Sequence, residues 1–466
     1  MAMSSNKTTS WCSIIPEERL LNIAHDENAT PELRNVARNT IKEGEALFAK
    51  SSQSSQVVGS INGREFPTSF NGKPPPTDGE CESFIWTAHS THELPGEFCL
   101  IPRDENPLPD MLDFELRKIY HFFYDVFGWK LFDNNGNQLH ITLQYGDNCI
   151  NAYWNGSQVV LGSGWNNFDT AHVVRFEFAY DVLAHELTHG LIAQTSGLDY
   201  RNEPGALNEH LADVFGVLYK QYSGSLDPED HKSWMIGVDV FEGRLYESKT
   251  SVYPIRPAGG LNGYTPPFRI GVDDPSDGSR VDYDFLRSLA DPERTYPKQC
   301  IRYPRHPKKW VVLPQDNGGV HHYSGIPNLA FHKAATKAGG QACWGVGQVW
   351  FRAMVDPRLR SDSTMPHFAA LTIEWAQKEY PLFEVAILQG WEWVEVEPML
   401  MVHGEGAQPS HQCLGPTPLC RRTSLPKGTP NIDPSRIPPK SAHGSFVFRG
   451  WEGDIGARKE VREEMD

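Results

Sequence analysis

The sequence predicts an α+β protein of two lobes, a strand-containing N-terminal lobe over residues 84–180 and a mostly helical C-terminal lobe over residues 181–401. Three observations predict it. Between 84 and 180, short apolar runs alternate with turn signals: QLHITLQY and QVVLGSG read as strands, and ELRKIYHFFYDVFG reads as a helix. From about residue 180 the apolar spacing becomes helical, in FAYDVLAHELTHGLIAQ, GALNEHLADVFGVLYKQY, SGIPNLAFHKAATKA and FAALTIEWAQKEY. The flanks differ in composition from both lobes. Residues 1–50 carry helical spacing in PEERLLNIAHD and PELRNVARNTIKEGEALFAK and read as a helical prosegment or an ordinary N-terminal extension. Residues 51–83 are rich in Ser, Gly and Pro and read as a flexible linker. Residues 402–466 have few apolar runs and are expected to be a largely disordered tail.

Composition excludes some function classes. The 466 residues are 39% apolar and 22% charged, as in a globular protein with a sizeable core. The formal charge of -16 argues against a nucleic-acid partner and against an anionic membrane surface. No stretch reaches the roughly 18 apolar residues that a membrane span needs. The first thirty residues lack the apolar core of a signal peptide. The expectation is therefore a cytoplasmic protein, or one exported without a classical signal peptide, and a monomer. The eight cysteines include no C-x-x-C pair and are expected to be mostly buried thiols, with Cys413 and Cys420 in the tail.

The motif that carries chemistry is HELTH, His185 to His189. Two histidines four residues apart share one face of a helix, so both imidazoles reach one Zn²⁺ while Glu186 projects toward its open position. A catalytic zinc needs a third protein ligand. Glu209, on the next helix, is the candidate; His210 is a rival that points about 100° away from it on an ideal helix. Asp213 lies four residues on, on the same face as Glu209, where it can accept the free ring N–H of a zinc-bound histidine.

HELTHGLIAQTSGLDYRNEPGALNEHLADVFG resembles the active-site stretch of the thermolysin-like neutral zinc metallopeptidases, with their H-E-x-x-H to N-E-x-x-x-D spacing. DNGGVHHYSGIPNLAFHKAA is similar to that family's catalytic-histidine block, and CINAYWNGSQVVLG to its substrate-binding edge strand. LPGEFCLIPRDE and FFYDVFGWKLFDNNG are similar to the start of its mature domain. The similarity runs from about 84 to about 397, and the CSIIPEERLLNIA leader resembles the protealysin-like subgroup. The resemblance implies a thermolysin-like two-lobe peptidase with the zinc site in the cleft between the lobes. It implies a zinc-dependent endopeptidase that cleaves peptides and proteins on the N-terminal side of bulky apolar residues, made as a latent precursor. Zinc sits on His185, His189 and Glu209, with Asp213 and Asn208 behind the ligands, and Glu186 activates the water. Tyr200 and His321 stabilise the oxyanion, and Asp316 orients His321. Asn151, Ala152 and Arg287 hold the substrate backbone. Val182, Ile236, Val240 and Leu286 wall an apolar pocket, or are plain core.

The sequence departs from the family at several points. Secreted members carry a paired calcium site, yet Lys220 stands where they place a glutamate, and Met235 and Val238 where they place others. Neither an ammonium nor an apolar side chain coordinates a hard cation. The paired site is therefore expected to be absent, although Asp181 remains. GSGWNNFDTAHVVRFEFAYD is longer than usual before the zinc helix, and the tail after 402 has no counterpart. Cys12 is either an inert leader thiol or a thiolate that ligates zinc and blocks the water position. Two other readings are a non-catalytic zinc-stabilised binding protein and a zinc aminopeptidase. The first needs a lost catalytic group, and the second a Gly-x-Met-Glu-Asn block; neither feature is present.

Overall fold

A computed structural model describes residues 12–51, 81–99, 108–167, 172–242 and 316–402 almost without breaks, and shorter pieces between 247 and 294 and at 410–413. Of the linker expected over 51–83, residues 52–80 lie outside the described residues, while Ser51 ends a helix and Ser83 begins a strand; most of the tail expected after 402 and parts of the long segment before the zinc helix also lie outside them.

The N-terminal lobe is built on a six-stranded sheet. Its strands are β1 (Cys12–Ser13), β2 (Ser83–Thr87), β3 (Glu97–Phe98), β4 (Leu139–Tyr145), β5 (Ala152–Trp154) and β6 (Val159–Gly162), in the order β1-β5-β6-β4-β2-β3. β2, β4 and β6 run parallel and the other pairs antiparallel. Alternating β-branched and aromatic residues suit a pleated, half-covered surface. Helix α3 (Leu108–Phe127) covers this sheet with Leu112, Leu116, Ile119, Phe123 and Val126, spaced three and four apart as a buried helical stripe requires.

Two helices form the centre of the molecule. α4 (Tyr180–Gln194) is buried from Asp181 to Ile192, and α5 (Asn202–Gly224) from Gly205 to Tyr219. Both read apolar on nearly every side, as fully enclosed helices do. Gly216 lets them approach: a Cβ there would stand 2.7 Å from the Asp181 carbonyl and 3.4 Å from His185 Cβ. Behind them lie α6 (Val238–Glu242), α7 (Asp316–Tyr323), α8 (Gly325–Ala338), α9 (Val346–Met354), α10 (Met365–Glu379) and α11 (Glu384–Trp393). Strand Met235–Ile236 pairs with Arg287–Ser288, and this pairing positions Arg287. The two-lobe α+β expectation holds. Strand Ser410–Cys413, within the segment expected to be disordered, pairs with Met399–Val402.

The leader forms α1 (Glu17–His25) and α2 (Pro31–Ser51). Ile14, Ile15 and Leu20 are 0%, 1% and 2% exposed. Burying an aliphatic side chain of this size contributes about 1.5–3 kcal/mol, so the leader is held by its apolar residues. Thr40 Oγ1 accepts from the Ile150 N–H at 2.9 Å, and Glu43 pairs with His92.

Candidate active site

α4 presents His185 and His189 one turn apart, and α5 brings Glu209 opposite them. Their Nε2 atoms stand 3.0 Å apart, and Glu209 carboxylate oxygens lie 3.6 Å from His185 Nε2 and 3.4 Å from His189 Nε2. These three buried residues are the group among the described residues whose atoms converge closely enough to hold a metal.

The neighbours settle which atoms carry protons. Asn208 Nδ2 donates to the Leu198 carbonyl at 3.1 Å, so its Oδ1 faces His189 Nδ1 at 2.8 Å and takes the ring proton there. His185 Nδ1 faces Asp213 Oδ1 at 3.0 Å. Both Nε2 lone pairs therefore point at one another and at a carboxylate. Three acceptors meeting without a proton repel unless a cation stands among them, so the residues present fit a metal. Two imidazoles, one carboxylate and one open side are the donor set of a catalytic zinc.

Charge around the site is tightly coupled. Arg287 grips Asp213 from Nε at 3.0 and 2.9 Å and from Nη2 at 2.8 Å, and reaches Glu209 at 3.4 Å. Burial opposes ionisation of Asp213, yet Arg287 and His185 outweigh it and hold the carboxyl well below its usual range. Glu209 shows the same contest: burial against His321, His189, His185 and Arg287, which together keep it lowered. Glu186 goes the other way. Burial, then the charge of Glu209, push it well above the carboxylate range. Both of its oxygens are enclosed, and Arg287 and the Trp154 backbone oppose the rise only in part.

A left-handed turn delivers the remaining group. Asp316, Asn317, Gly318 and Gly319 all have positive φ, and a Cβ on Gly318 would meet Asn202 Oδ1 at 2.3 Å. The turn folds Asp316 back so that its carboxylate accepts from the His321 backbone N–H at 2.9 Å and from His321 Nδ1. Tyr200 stands 3.4 Å from His321 Nε2, and its hydroxyl donates to Glu209.

The leader runs through this cleft. β1 pairs antiparallel with β5, Cys12 opposite Trp154 and Ser13 opposite Tyr153. The Ile14 N–H donates to the Ala152 carbonyl at 3.1 Å, and Arg287 Nη1 donates to the Ile14 carbonyl at 2.7 Å. The Asn151 amide clasps Ile15, accepting its N–H and donating to its carbonyl, both at 3.0 Å. His321 Nε2 donates to the Ser13 carbonyl at 2.7 Å. With acceptors at both ring nitrogens, His321 carries two protons; burial opposes that charge, but Asp316 and Glu209 outweigh it and raise the His321 pKa.

The comparisons agree with this geometry. A family model described as the thermolysin metallopeptidase catalytic domain matches residues 113–193, and one described as its alpha-helical domain matches 196–250 and 267–396. An extracellular metalloprotease of Pectobacterium carotovorum subsp. carotovorum is 31% identical over 402 residues, covering 84% of this chain and 98% of the relative. The chain belongs to the thermolysin family of metallopeptidases. Another relative, Protease PrtS of Photorhabdus sp. (strain Az29), is 32% identical over 67% of this chain and 76% of its own length. The solved precursor of protealysin, a metalloproteinase from Serratia proteamaculans, superposes with a TM-score of 0.56 at 27% identity, covering 83% of this chain and 99% of that one. Within the thermolysin family this chain is thus a zinc metalloendopeptidase of the protealysin-like subgroup, a zymogen type, acting on peptides or proteins.

One expectation is corrected. A cytoplasmic location, or export without a classical signal peptide, was expected from an N-terminus without a signal core, but the Pectobacterium relative, matched over nearly its whole length, is named extracellular and points to secretion. The physical reason is that an apolar leader is one export signal among several, so its lack in the first thirty residues does not fix a compartment. His210, the rival ligand, is turned away: its Nδ1 meets Asn328 and its Nε2 meets Trp350. Cys12 is buried on β1 and lies outside the converging metal group. The contacts above join His185, His189, Asn208, Glu209, Asp213 and Arg287, and bring Asn151, Ala152, Tyr200, Asp316 and His321 to the same place, with Glu186 buried on α4 beside the histidines. Sequence reading missed the role of Ser13, Ile14 and Ile15. Their signal was an apolar triplet with a polar residue, CSII, standing alone before a Pro-initiated helix. Such a run is short enough to pass for a helix staple.

Proposed function

We propose that this chain is made as a latent zinc endopeptidase whose own leader, residues 1–50, occupies the substrate groove, and that the released enzyme cleaves before bulky apolar residues. The observation that carries the reading is the leader's register. The Ser13 carbonyl faces His321, while the backbone of Ile14 and Ile15 is held by Ala152, Arg287 and Asn151. That is how an added strand binds a peptide edge. The Ser13–Ile14 bond then lies at the reacting position, with buried Ile14 as the bulky apolar residue after it. Val182, Ile236, Val240 and Leu286 belong to the same apolar cluster as Ile14 and are proposed as the pocket walls.

His185, His189 and Glu209 would hold zinc, which supplies Lewis-acid polarisation of water and carbonyl when bound. Glu186 takes a proton from the attacking water and passes it to the leaving amine, a role suited to a buried carboxyl with a raised pKa. The His321 Nε2–H and the Tyr200 hydroxyl donate to the oxygen that gains charge. Asp316 keeps His321 charged and aimed. Asn208 and Asp213 fix the ring tautomers of His189 and His185.

In this reading residues 51–83 form the linker, maturation cuts it between 50 and 80 in an autocatalytic step, 84–180 and 181–401 are the catalytic lobes, and 402–466 are a tail. The enzyme works as a monomer without nucleic acid, and it needs no calcium at the usual paired position. Lys220 supports the last point: its Nζ lies 3.0 Å from Asp181 Oδ2 and 3.1 Å from the Met235 carbonyl, an internal cation in place of a bound one.

The test is peptide cleavage mapped by mass spectrometry, for the full chain, a chain lacking residues 1–50, and Glu186→Ala in each, with and without a zinc chelator. Cuts before apolar residues, released by leader removal and abolished by Glu186→Ala or chelation, support the reading. Cuts that survive in Glu186→Ala would refute it.

A further inference from the structure

Asp213 is held from the far side by a line of buried side chains that the catalytic roles above do not use. Trp350 Nε1 donates to His210 Nε2 at 2.8 Å. His210 Nδ1 lies 2.8 Å from Asn328 Oδ1. Asn328 Nδ2 donates to Asp213 Oδ2 at 2.9 Å, and Asp213 Oδ1 faces His185 Nδ1 at 3.0 Å. The line crosses from α9 through α5 and α8 to α4, and each of its side chains is at most 1% exposed.

Its direction is fixed by chemistry. An indole N–H only donates. His210 Nε2 must therefore accept, so its ring proton is on Nδ1. That proton needs an acceptor, so Asn328 turns its carbonyl toward His210 and its NH₂ toward Asp213. The reversed amide would set two donors face to face and an oxygen against a carboxylate. A donor-only group at one end and a carboxylate at the other leave one arrangement for everything between.

On the reading that His185, His189 and Glu209 hold zinc, we propose that Trp350, His210 and Asn328 are positioning residues of the metal centre. They hold the Asp213 carboxylate 3.0 Å from His185 Nδ1, where its charge favours a proton on that nitrogen. His185 is thereby kept with its Nε2 lone pair aimed at the metal. Groups behind a ligand commonly change metal affinity about 10–100-fold when removed. This line begins further out, so the expected effect is at the lower end.

Trp350→Phe removes one N–H and keeps the aromatic packing; Asn328→Ser shortens the next link. Zinc affinity of the full chain is measured by competition with a chromophoric chelator, at a temperature well below unfolding, and the visible spectrum of the Co²⁺-substituted protein is recorded. The expected result is about a tenfold loss of zinc affinity in Trp350→Phe, a loss at least as large in Asn328→Ser, and a shifted Co²⁺ spectrum in both. Affinity within twofold of wild type and an unchanged spectrum in both variants, with only a lowered Tm, would make the line structural and overturn the proposal alone. Failure of the wild type to bind zinc would overturn it together with the reading of the site.

Discussion

The Ser13 carbonyl oxygen and His321 Nε2 stand 2.7 Å apart, although 308 residues separate them in the chain. A doubly protonated imidazole, held by Asp316 on its other nitrogen, donates to a backbone carbonyl of the protein's own leader. The same donor is the one a substrate carbonyl would need. On the proposed reading, leader and substrate compete for one set of partners, and occupancy of the cleft is set by how well residues 12–50 dock.

Ile14→Ala should loosen that docking. The buried side chain is worth about 1.5–3 kcal/mol, of which most is lost, so the docking equilibrium falls roughly ten- to a hundredfold. Activity of the full-length variant toward a short peptide should rise accordingly, while the leader-free enzyme is unchanged because the residue is gone from it. Equal activity of wild type and variant at full length would count against a leader in the groove.

Glu186→Gln keeps the shape of the side chain and removes the base. Loss of a positioned acid–base group costs about 10²–10⁴ in rate. Zinc content, measured by elemental analysis, should stay at the wild-type level, because the three converging ligands are intact. A drop in zinc would place Glu186 in the metal's support and not in proton transfer.

Leader docking should weaken in acid. Glu18 accepts from His322 Nε2 at 2.8 Å, and that hydrogen bond is the largest cause lowering its pKa, against partial burial. A carboxyl lowered in the docked state contributes docking free energy that is fully present above its ordinary pKa, and it loses that contribution as pH falls through the lowered value. Full-chain latency should therefore fade below about pH 4.5, the ordinary range of a free glutamate. Hydrogen exchange of α1 followed from pH 6 to pH 3 measures it, and Glu18→Gln should flatten the profile.

Lys220→Ala should destabilise the fold on the order of 3 kcal/mol, since it leaves the buried Asp181 carboxylate without its cation. The Val182 and Gly237 N–H groups still bond that carboxylate, which keeps the loss from being larger. Thermal unfolding measures the drop. A calcium chelator should leave the wild-type Tm unmoved; a fall would show that a calcium ion supports the fold after all.

Much of the site was legible because local spacing dictates it. His185 and His189 share a helix face by the 3.6-residue period, and Glu209 and Asp213 do the same on α5, so two helices in contact bring four side chains together. Asp316 and His321 were readable only through the resemblance of DNGGVHHYSG to the family's block; the left-handed turn at Gly318 and Gly319 that folds one back on the other came from the structure. Lys220 gave an expectation by charge, since an ammonium cannot ligate calcium, and the chelator experiment tests it. His210 was harder. Its helical phase turned it away from Glu209, but nothing in the chain said that Asn328 and Trp350 would meet it, because those contacts join three helices far apart in sequence.

By itself, then, the sequence determined the α+β class and proposed the metal ligands and the base, which rest on periods of one or two turns and on side-chain chemistry, while Tyr200 and His321 were proposed only through the family resemblance. Only the tertiary structure decided what fills the cleft and what braces it. The leader's Ser13–Ile15 is a short apolar run whose partner is chosen by a sheet edge at β5 and by Arg287, which arrives through the pairing of Met235–Ile236 with Arg287–Ser288. Strand addition needs only an extended backbone and an open edge, and neither leaves a distinctive mark in the order of residues.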